Sequence, residues 1–338
     1  VASPAISVIM SAYNAAQYVR QAVESILSQT FGDFEFIVVD DGSTDSTREI
    51  LSTYRDERIR VLTQASQGPG AARNRALQEA RAEFVAIMDA DDISMPDRFE
   101  REMAVFRTAP DVHLVTCRTA LIDGSGRPTG ERYPWKFPRA LRFRPIPGIT
   151  RAYRVEGSLV EGILETNFVA HPSVMYRRNV VASLGGYDPR LRRGQDFDLW
   201  FRMARAGCQF AYIDDDLVLY RRHPENTSVE MQILSARSAL QLYEKCLADG
   251  RNNARLRALV LRAMGRRQKD LADLLMSLGR RAEARRLYAQ AAKNAPEAEQ
   301  IVAHVLTALR LPNFPVMRWF RRATRMRIVT SPDQRGET

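Results

Sequence analysis

The sequence predicts a doubly wound α/β fold: a mostly parallel sheet flanked by helices, followed by an all-helical C-terminal extension. Three observations predict it. Short apolar runs alternate with helical patterns through the first half of the chain, the mark of a parallel sheet built from βα units. Three of those runs end in polar clusters, as strands do at the ligand-binding edge of an open sheet. From Val229 onward the apolar spacing is helical only.

Taken in order, residues 6–10 (ISVIM) are short and wholly apolar, as a buried strand requires. Residues 16–29 place Val19, Val23, Ile26 and Leu27 on one helical face. Residues 35–39 form a second strand, and 44–54 a helix whose start is rich in cap formers. Strands at 59–62 and 84–88 enclose a helix over 71–80. Pro96 opens a helix carrying Phe99, Met103 and Phe106, and 113–117 is a further strand. Residues 128–168 break the rhythm with prolines and with Arg132, Arg139, Arg142, Arg144, Arg151 and Arg154. They read as a long surface excursion over the sheet. Order resumes with a strand over 172–176, a helix over 196–206 and a strand over 210–220.

A chain of 338 residues suits two domains. The division expected is 1–228 for the sheet domain, 229–313 for a helical domain and 314–338 for a basic tail. Within the helical part, Ala284, Tyr288, Ala291 and Pro296 have the spacing of the second helix of a tetratricopeptide unit. Leu271, Ala272, Leu275 and Gly279 suit its first helix. Only one such unit is visible and stable arrays need several, so a plain helical hairpin is the simpler reading.

The net charge is +10, and it is carried almost wholly by arginine, with lysine only at 136, 245, 269 and 293. Arginine favours bidentate contact with phosphates and carboxylates. A compositional bias of the genome and an anionic partner both account for it. Cys117, Cys208 and Cys246 are scattered, which gives no disulfide framework and no C-x-x-C site. With no signal-type segment and no run of about 18 apolar residues, the expectation is a cytoplasmic protein. Phe314, Val316, Met317, Trp319 and Phe320 interleave with the charges of the tail, so peripheral contact with the inner face of a membrane is also expected.

The three polar clusters carry the chemistry. They are Ser11-Ala12-Tyr13-Asn14, Asp40-Asp41-Gly42-Ser43 and Asp89-Ala90-Asp91-Asp92. One such cluster is an ordinary turn; three at one sheet edge are hard to explain as turns only. At this point the chain resembles the inverting family 2 glycosyltransferases with a GT-A fold. The resemblance rests on SVIMSAYN, IVVDDGSTDST, GPGAARNRAL, MDADDISMPDRF and GGYDPRLRRGQDFDLWFRMARAG, followed by YRRHPENTS. It covers roughly residues 5–228 and stops before the helical part.

The resemblance implies a nucleotide-diphosphate sugar donor, an acceptor hydroxyl on a sugar or lipid-linked saccharide, and Mn²⁺ or Mg²⁺. Ala12, Tyr13 and Asn14 line the donor site, where Tyr13 can stack on the base and Asp41 can accept its imide N–H. Arg73 lies near the nucleotide. In the D-x-D the expectation is Asp91 on the metal, Asp89 nearer the ribose and Ala90 in the donor site, with Asp92 competing for the metal. His223 resembles a position that completes the metal or diphosphate site in some relatives, a surface histidine being the other reading. A hard cation held by carboxylate oxygens neutralises the departing diphosphate; a solvated acidic turn would look the same in sequence. Asp196, in GQDFD, matches the general base, although a residue there also suits a helix start. Family members often have Glu-Asp at this point, so Gln195 is a departure. His171, Gln195 and Trp135 are expected on the acceptor side, with a buried, hydrogen-bonded histidine the other reading of His171.

Other classes fit less well. SAYNAAQ after the first strand has no glycine, which excludes a dinucleotide fingerprint and the glycine-rich loop of a sugar nucleotidylyltransferase. No RNA-binding motif or basic helix of known type accompanies the charge, so no nucleic-acid partner is expected. A non-catalytic nucleotide-sugar-binding protein remains as an alternative. The Q-x-x-R-W and membrane spans of processive relatives are missing, so transfer of a single sugar is expected.

Overall fold

The computed structural model describes residues 3–134, 136–248 and 253–295. Packing divides the chain into two units, Val1–Val260 and Leu261–Thr338.

In the first unit, β1 (Ile6–Ala12), β2 (Phe34–Asp40), β3 (Ile59–Thr63) and β4 (Phe84–Asp89) are joined by α1 (Val19–Leu27), α2 (Thr47–Ser52) and α3 (Pro69–Glu79). There follow β5 (Ile93–Ser94), α4 (Arg98–Thr108), β6 (Val112–Asp123), β7 (Pro128–Tyr133), β8 (Leu141–Pro145), β9 (Ala152–Gly157) and α5 (Leu159–Glu165). A 3₁₀ turn, His171–Ser173, leads into β10 (Val174–Arg177), α6 (Arg178–Ser183), α7 (Gln195–Arg205), β11 (Gln209–Arg222), α8 (Pro224–Thr227) and α9 (Val229–Ala248). The sheet order is β3-β2-β1-β4-β10-β6-β11-β9-β8, with β5 on β11 and β7 on β6.

The first four strands run parallel, and every residue of β2 is buried, as strands covered on both faces must be. The path steps from β1 out to β3, then returns to the other side of β1 at β4. That reversal opens a crevice at the carboxyl ends of β1 and β4, where open α/β sheets bind ligands. Beyond β4 the sheet is mixed. β10 is antiparallel to both β4 and β6, while β11 runs parallel to β6.

The stretch 128–168 is not a loose excursion. It supplies β7, β8, β9 and α5, and β9 pairs with β11 at the sheet's far side. The arginines that hid its strands lie in ion pairs: Arg154 with Asp111 at 2.6 Å, Arg132 with Asp216 at 2.8 Å, and Arg144 with Glu156. Charged residues alternate there with few apolar ones, so no period-2 pattern marks these edge strands.

Below the crevice lies a wholly buried ion pair. Arg98 Nε donates to Glu102 at 3.2 Å, and its other nitrogens reach the carbonyls of Ile87 on β4 and Val174 on β10 at 3.1 Å each. This fork ties β4 to the antiparallel β10 beneath Asp89. Burial, against the pull of Arg98, leaves the Glu102 carboxyl pushed up to about 7.

The unit boundary falls within α10 (Ala254–Ser277), and from Leu261 on this helix and α11 (Arg281–Asn294) form a helical hairpin. Gly279, at φ +75°, closes α10 with two backbone bonds, from Gly279 N–H to Met276 and from Arg280 N–H to Leu275. Leu271, Ala272 and Leu275 are buried, as are Ala284, Tyr288 and Ala291. A Cβ on Gly265 would stand 2.7 Å from that of Ala295, so only glycine admits this approach. Pro296 and the 314–338 tail lie outside the described residues. Among the described residues no helix is long and apolar enough to cross a membrane.

Candidate active site

Backbone and side-chain bonds lace the first two strand ends together. The Ala12 carbonyl accepts from Asp41 N–H at 2.8 Å. Asn14 turns at φ +47°, donates its N–H to Ser43 Oγ and accepts from Thr44 N–H. Between them Tyr13 stands 53% exposed, its ring open to a planar partner while the backbone on either side is held.

Asp41 is only 2% exposed and is satisfied from within. Its Oδ1 accepts from Gln64 Nε2 at 2.7 Å and Gln67 N–H at 3.0 Å; its Oδ2 accepts from Gly68 N–H at 2.8 Å. These bonds form the turn, with Gly68 at φ +94°, that launches α3 and so delivers Arg73. The carboxylate expected to read a base is already structural; a base N–H would have to replace the Gln64 amide.

At the end of β4, Arg73 meets Asp89 at 2.8 Å, and His171 Nδ1 lies 3.1 Å from both Asp89 oxygens. The far nitrogen of His171 is 3.3 Å from the Tyr187 hydroxyl. Burial opposes ionisation of Asp89, yet His171 and Arg73 together hold its carboxyl well below the usual carboxylate range. His171 is thus the buried, hydrogen-bonded histidine rather than an acceptor-facing one. Ala90 is buried beneath the turn.

Asp91 Oδ2 lies 2.9 Å from His223 Nε2 and 3.4 Å from Asn226 Nδ2. The pair brings one carboxylate oxygen and one imidazole nitrogen together at the crevice, a donor set that fits a divalent cation sharing its remaining positions with phosphates and water. Asp92 does not join them. It is 1% exposed, its Oδ1 accepts from the Arg221 backbone N–H at 2.7 Å, and no group of three acidic, histidine or cysteine ligands forms among the described residues. Burial, then the charges of Asp91 and Asp89, push the Asp92 carboxyl well above its ordinary range.

Arg221 holds this corner. Its Nε donates to the Asp91 carbonyl at 2.8 Å and its Nη2 to Gln21 at 2.7 Å. Its Nη1 reaches the carbonyls of Asp123 and Gly124 at 3.4 Å each, and the guanidinium lies 4.8 Å over the Tyr18 ring.

Asp196 sits in the first turn of α7, whose cap is Gly194 with no side-chain cap bond, so the carboxylate is not the helix cap. Asn167 Nδ2 donates to it at 3.3 Å. Gln195 faces inward, 4% exposed, and donates to the Leu191 carbonyl at 2.7 Å. Trp135 lies outside the described residues.

Several residues of the site escaped sequence reasoning. Arg221 and Asn226 flank His223 in a quoted motif, and that adjacency was the available signal. Asn167 lies in the stretch with no readable pattern. Tyr220 opens the same quoted motif as His223; burial, and then Asp92, Asp91, Asp89 and Asp196, push its phenol up.

A family model described as Glycosyl transferase family 2 matches residues 7–184. An uncharacterized glycosyltransferase of Methanocaldococcus jannaschii is 31% identical over 223 residues, 64% of this chain and 71% of that protein. The putative glycosyltransferase EpsE of Bacillus subtilis is 28% identical over 249 residues, 72% of this chain and 82% of its own. Among solved structures, S. aureus TarS in complex with UDP is similar with a TM-score of 0.52 at 19% identity, covering 92% of each chain. The mannosyltransferase PcManGT of Pyrobaculum calidifontis, in complex with GDP-Man and Mn²⁺, gives 0.56 at 21% identity and covers 95% of this chain and 84% of that one. These likenesses establish a GT-A fold.

Arg221→Met leaves the Asp91 carbonyl without its buried partner, at about 1–3 kcal/mol for an orphaned group, while the exposed Gln21 amide is rehydrated. The expected loss is about 1–3 kcal/mol in urea unfolding, and Arg221→Lys should recover less than half of it, because an ammonium has no planar fork. A wild-type midpoint in Arg221→Met would refute its bracing role.

Proposed function

The chain belongs to glycosyl transferase family 2, and from that premise we propose an inverting, metal-dependent enzyme that moves a single sugar from a UDP- or dTDP-sugar to an acceptor hydroxyl, in the synthesis of cell-surface polysaccharide or glycolipid. The observation that carries this reading is the pairing of Asp89 with Arg73 and of Asp91 with His223 in and just after the end of β4, with the charge of Asp196 acting on that same Arg73.

Each group has a task in the proposal. Tyr13 stacks on the base, and its imide N–H takes the place of the Gln64 amide on Asp41. Asp89, oriented by His171 and Arg73, accepts from the ribose. Asp91 and His223 would hold Mn²⁺ or Mg²⁺, which when bound neutralises charge on the leaving diphosphate. Asp196 takes the acceptor proton as the new bond to the anomeric carbon forms; the bond to the diphosphate breaks and its electron pair leaves with the phosphate oxygen. PcManGT was solved with Mn²⁺ and TarS with UDP, which supports a metal and a nucleotide in a fold of this kind. The acceptor is a sugar or lipid-linked saccharide at the inner face of a membrane, on the strength of the basic, aromatic tail. Flotation with anionic liposomes at low salt, lost at high salt, supports that placement; no flotation at low salt removes it.

Asp196→Asn keeps the shape and loses the base. Donor hydrolysis, with water standing for the acceptor, should fall by about 10²–10⁴ in kcat while UDP affinity holds. Collapse of UDP affinity with kcat retained would make Asp196 structural. In calorimetry, UDP should bind more tightly than GDP in Mn²⁺ and lose affinity in EDTA; a clear preference for GDP rejects the Asp41 assignment.

A further inference from the structure

The segment from Leu184 to Gly194 carries no regular element and contains three glycines with positive φ, Gly185, Gly186 and Gly194. It ends two residues before Asp196. A segment of this kind needs external fixing if it is to aim a carboxylate, since a displacement of about 1 Å at a reacting group costs up to 10²-fold in rate.

The fixing comes from α9, which lies beyond the matched residues 7–184. Lys245 Nζ lies 2.8 Å from Asp188 Oδ2 and 3.0 Å from Asp198 Oδ1, so one ammonium bridges the two ends of the segment that contains Asp196. Asp198 is buried and also receives Arg202, whose guanidinium reaches the carbonyls of Leu184 at 2.8 Å and Gly186 at 2.7 Å. Two residues before Lys245 on α9, Tyr243 meets the Phe197 ring edge-on at 6.0 Å. Both neighbours of Asp196 on its C-terminal side are therefore gripped by one helix.

We propose that Lys245 is a positioning residue for transfer: by stapling Asp188 to Asp198 it orders the 188–198 segment and aims Asp196 at the acceptor. The proposal rests on the reading of Asp196 as base. Two features separate aiming from bulk stability. Lys245 is 42% exposed on its side chain, so water reaches the ammonium and screens its ion pairs with Asp188 and Asp198. Asp198 keeps Arg202 when the ammonium is removed, so no buried charge is stranded.

The experiment compares the full-length protein with Lys245→Met, Lys245→Arg and Asp196→Asn. Amide hydrogen exchange of peptides spanning 188–198, UDP–Mn²⁺ affinity and kcat for hydrolysis of a UDP-sugar panel are measured well below the unfolding temperature. In Lys245→Met, exchange in 188–198 should rise about tenfold while peptides from β1 and β4 stay unchanged. UDP affinity should hold within about twofold, hydrolytic kcat should fall about tenfold, and Lys245→Arg should restore most of the loss. Unchanged exchange in 188–198, or raised exchange with wild-type kcat, overturns the proposal. Full turnover in Asp196→Asn removes the base itself, and the role of Lys245 falls with it; an inactive Asp196→Asn beside an active, ordered Lys245→Met rejects Lys245 alone.

Discussion

The buried guanidinium of Arg221 is the constraint on which the site corner depends. A charge placed 1% exposed is costly, and among the described residues no carboxylate oxygen meets the guanidinium. It is satisfied instead by the carbonyls of Asp91, Asp123 and Gly124 and by the Gln21 amide oxygen. One planar fork thereby joins the turn after β4, the turn between β6 and β7, helix α1 and strand β11. Its own N–H fixes Asp92, and two residues on, His223 comes within 2.9 Å of Asp91. The acidic turn and the arginine are mutually required: the cluster of carboxylates supplies the negative field that makes a buried cation tolerable, and the cation dictates the turn.

The same logic runs along β4. Three aspartates in four residues would repel one another at a shared surface, so the fold gives each a different fate. Asp89 is held charged by Arg73 and His171; Asp92 is withdrawn into the protein and pushed toward its neutral form; Asp91 keeps an open oxygen beside His223. Environment, rather than residue type, separates the three roles.

Strands β1, β2 and β4 were legible because they are buried along most of their length and read as apolar runs, as in ISVIM and FIVVD. The strand-end clusters were legible because βα spacing forces them to one edge. What failed to register is equally physical. β7 to β9 carry their apolar residues too sparsely to show a period, and β5 is two residues long. Asp41 and Gln195 were read by residue type as ligand groups, yet both are consumed by loop hydrogen bonds that depend on tertiary closure. His171 could not be assigned from sequence, because its partners Asp89 and Tyr187 lie 82 and 16 residues away.

The arginine excess takes on a different meaning once partners are known. Arg101, Arg118, Arg132 and Arg151 converge on the acidic run Asp214–Asp216, where the ladder between β11 and β6 is irregular. Arg154 is paired on Asp111, and Arg177 on Glu83. These side chains pin the mixed half of the sheet across positions where backbone pairing slips, so these arginines have structural partners. The net charge of +10 is the excess left after such pairs cancel. Three cations have partners at or beside the proposed site: Arg73 on Asp89, Arg221 on the acidic turn, and Lys245 at the segment that carries Asp196.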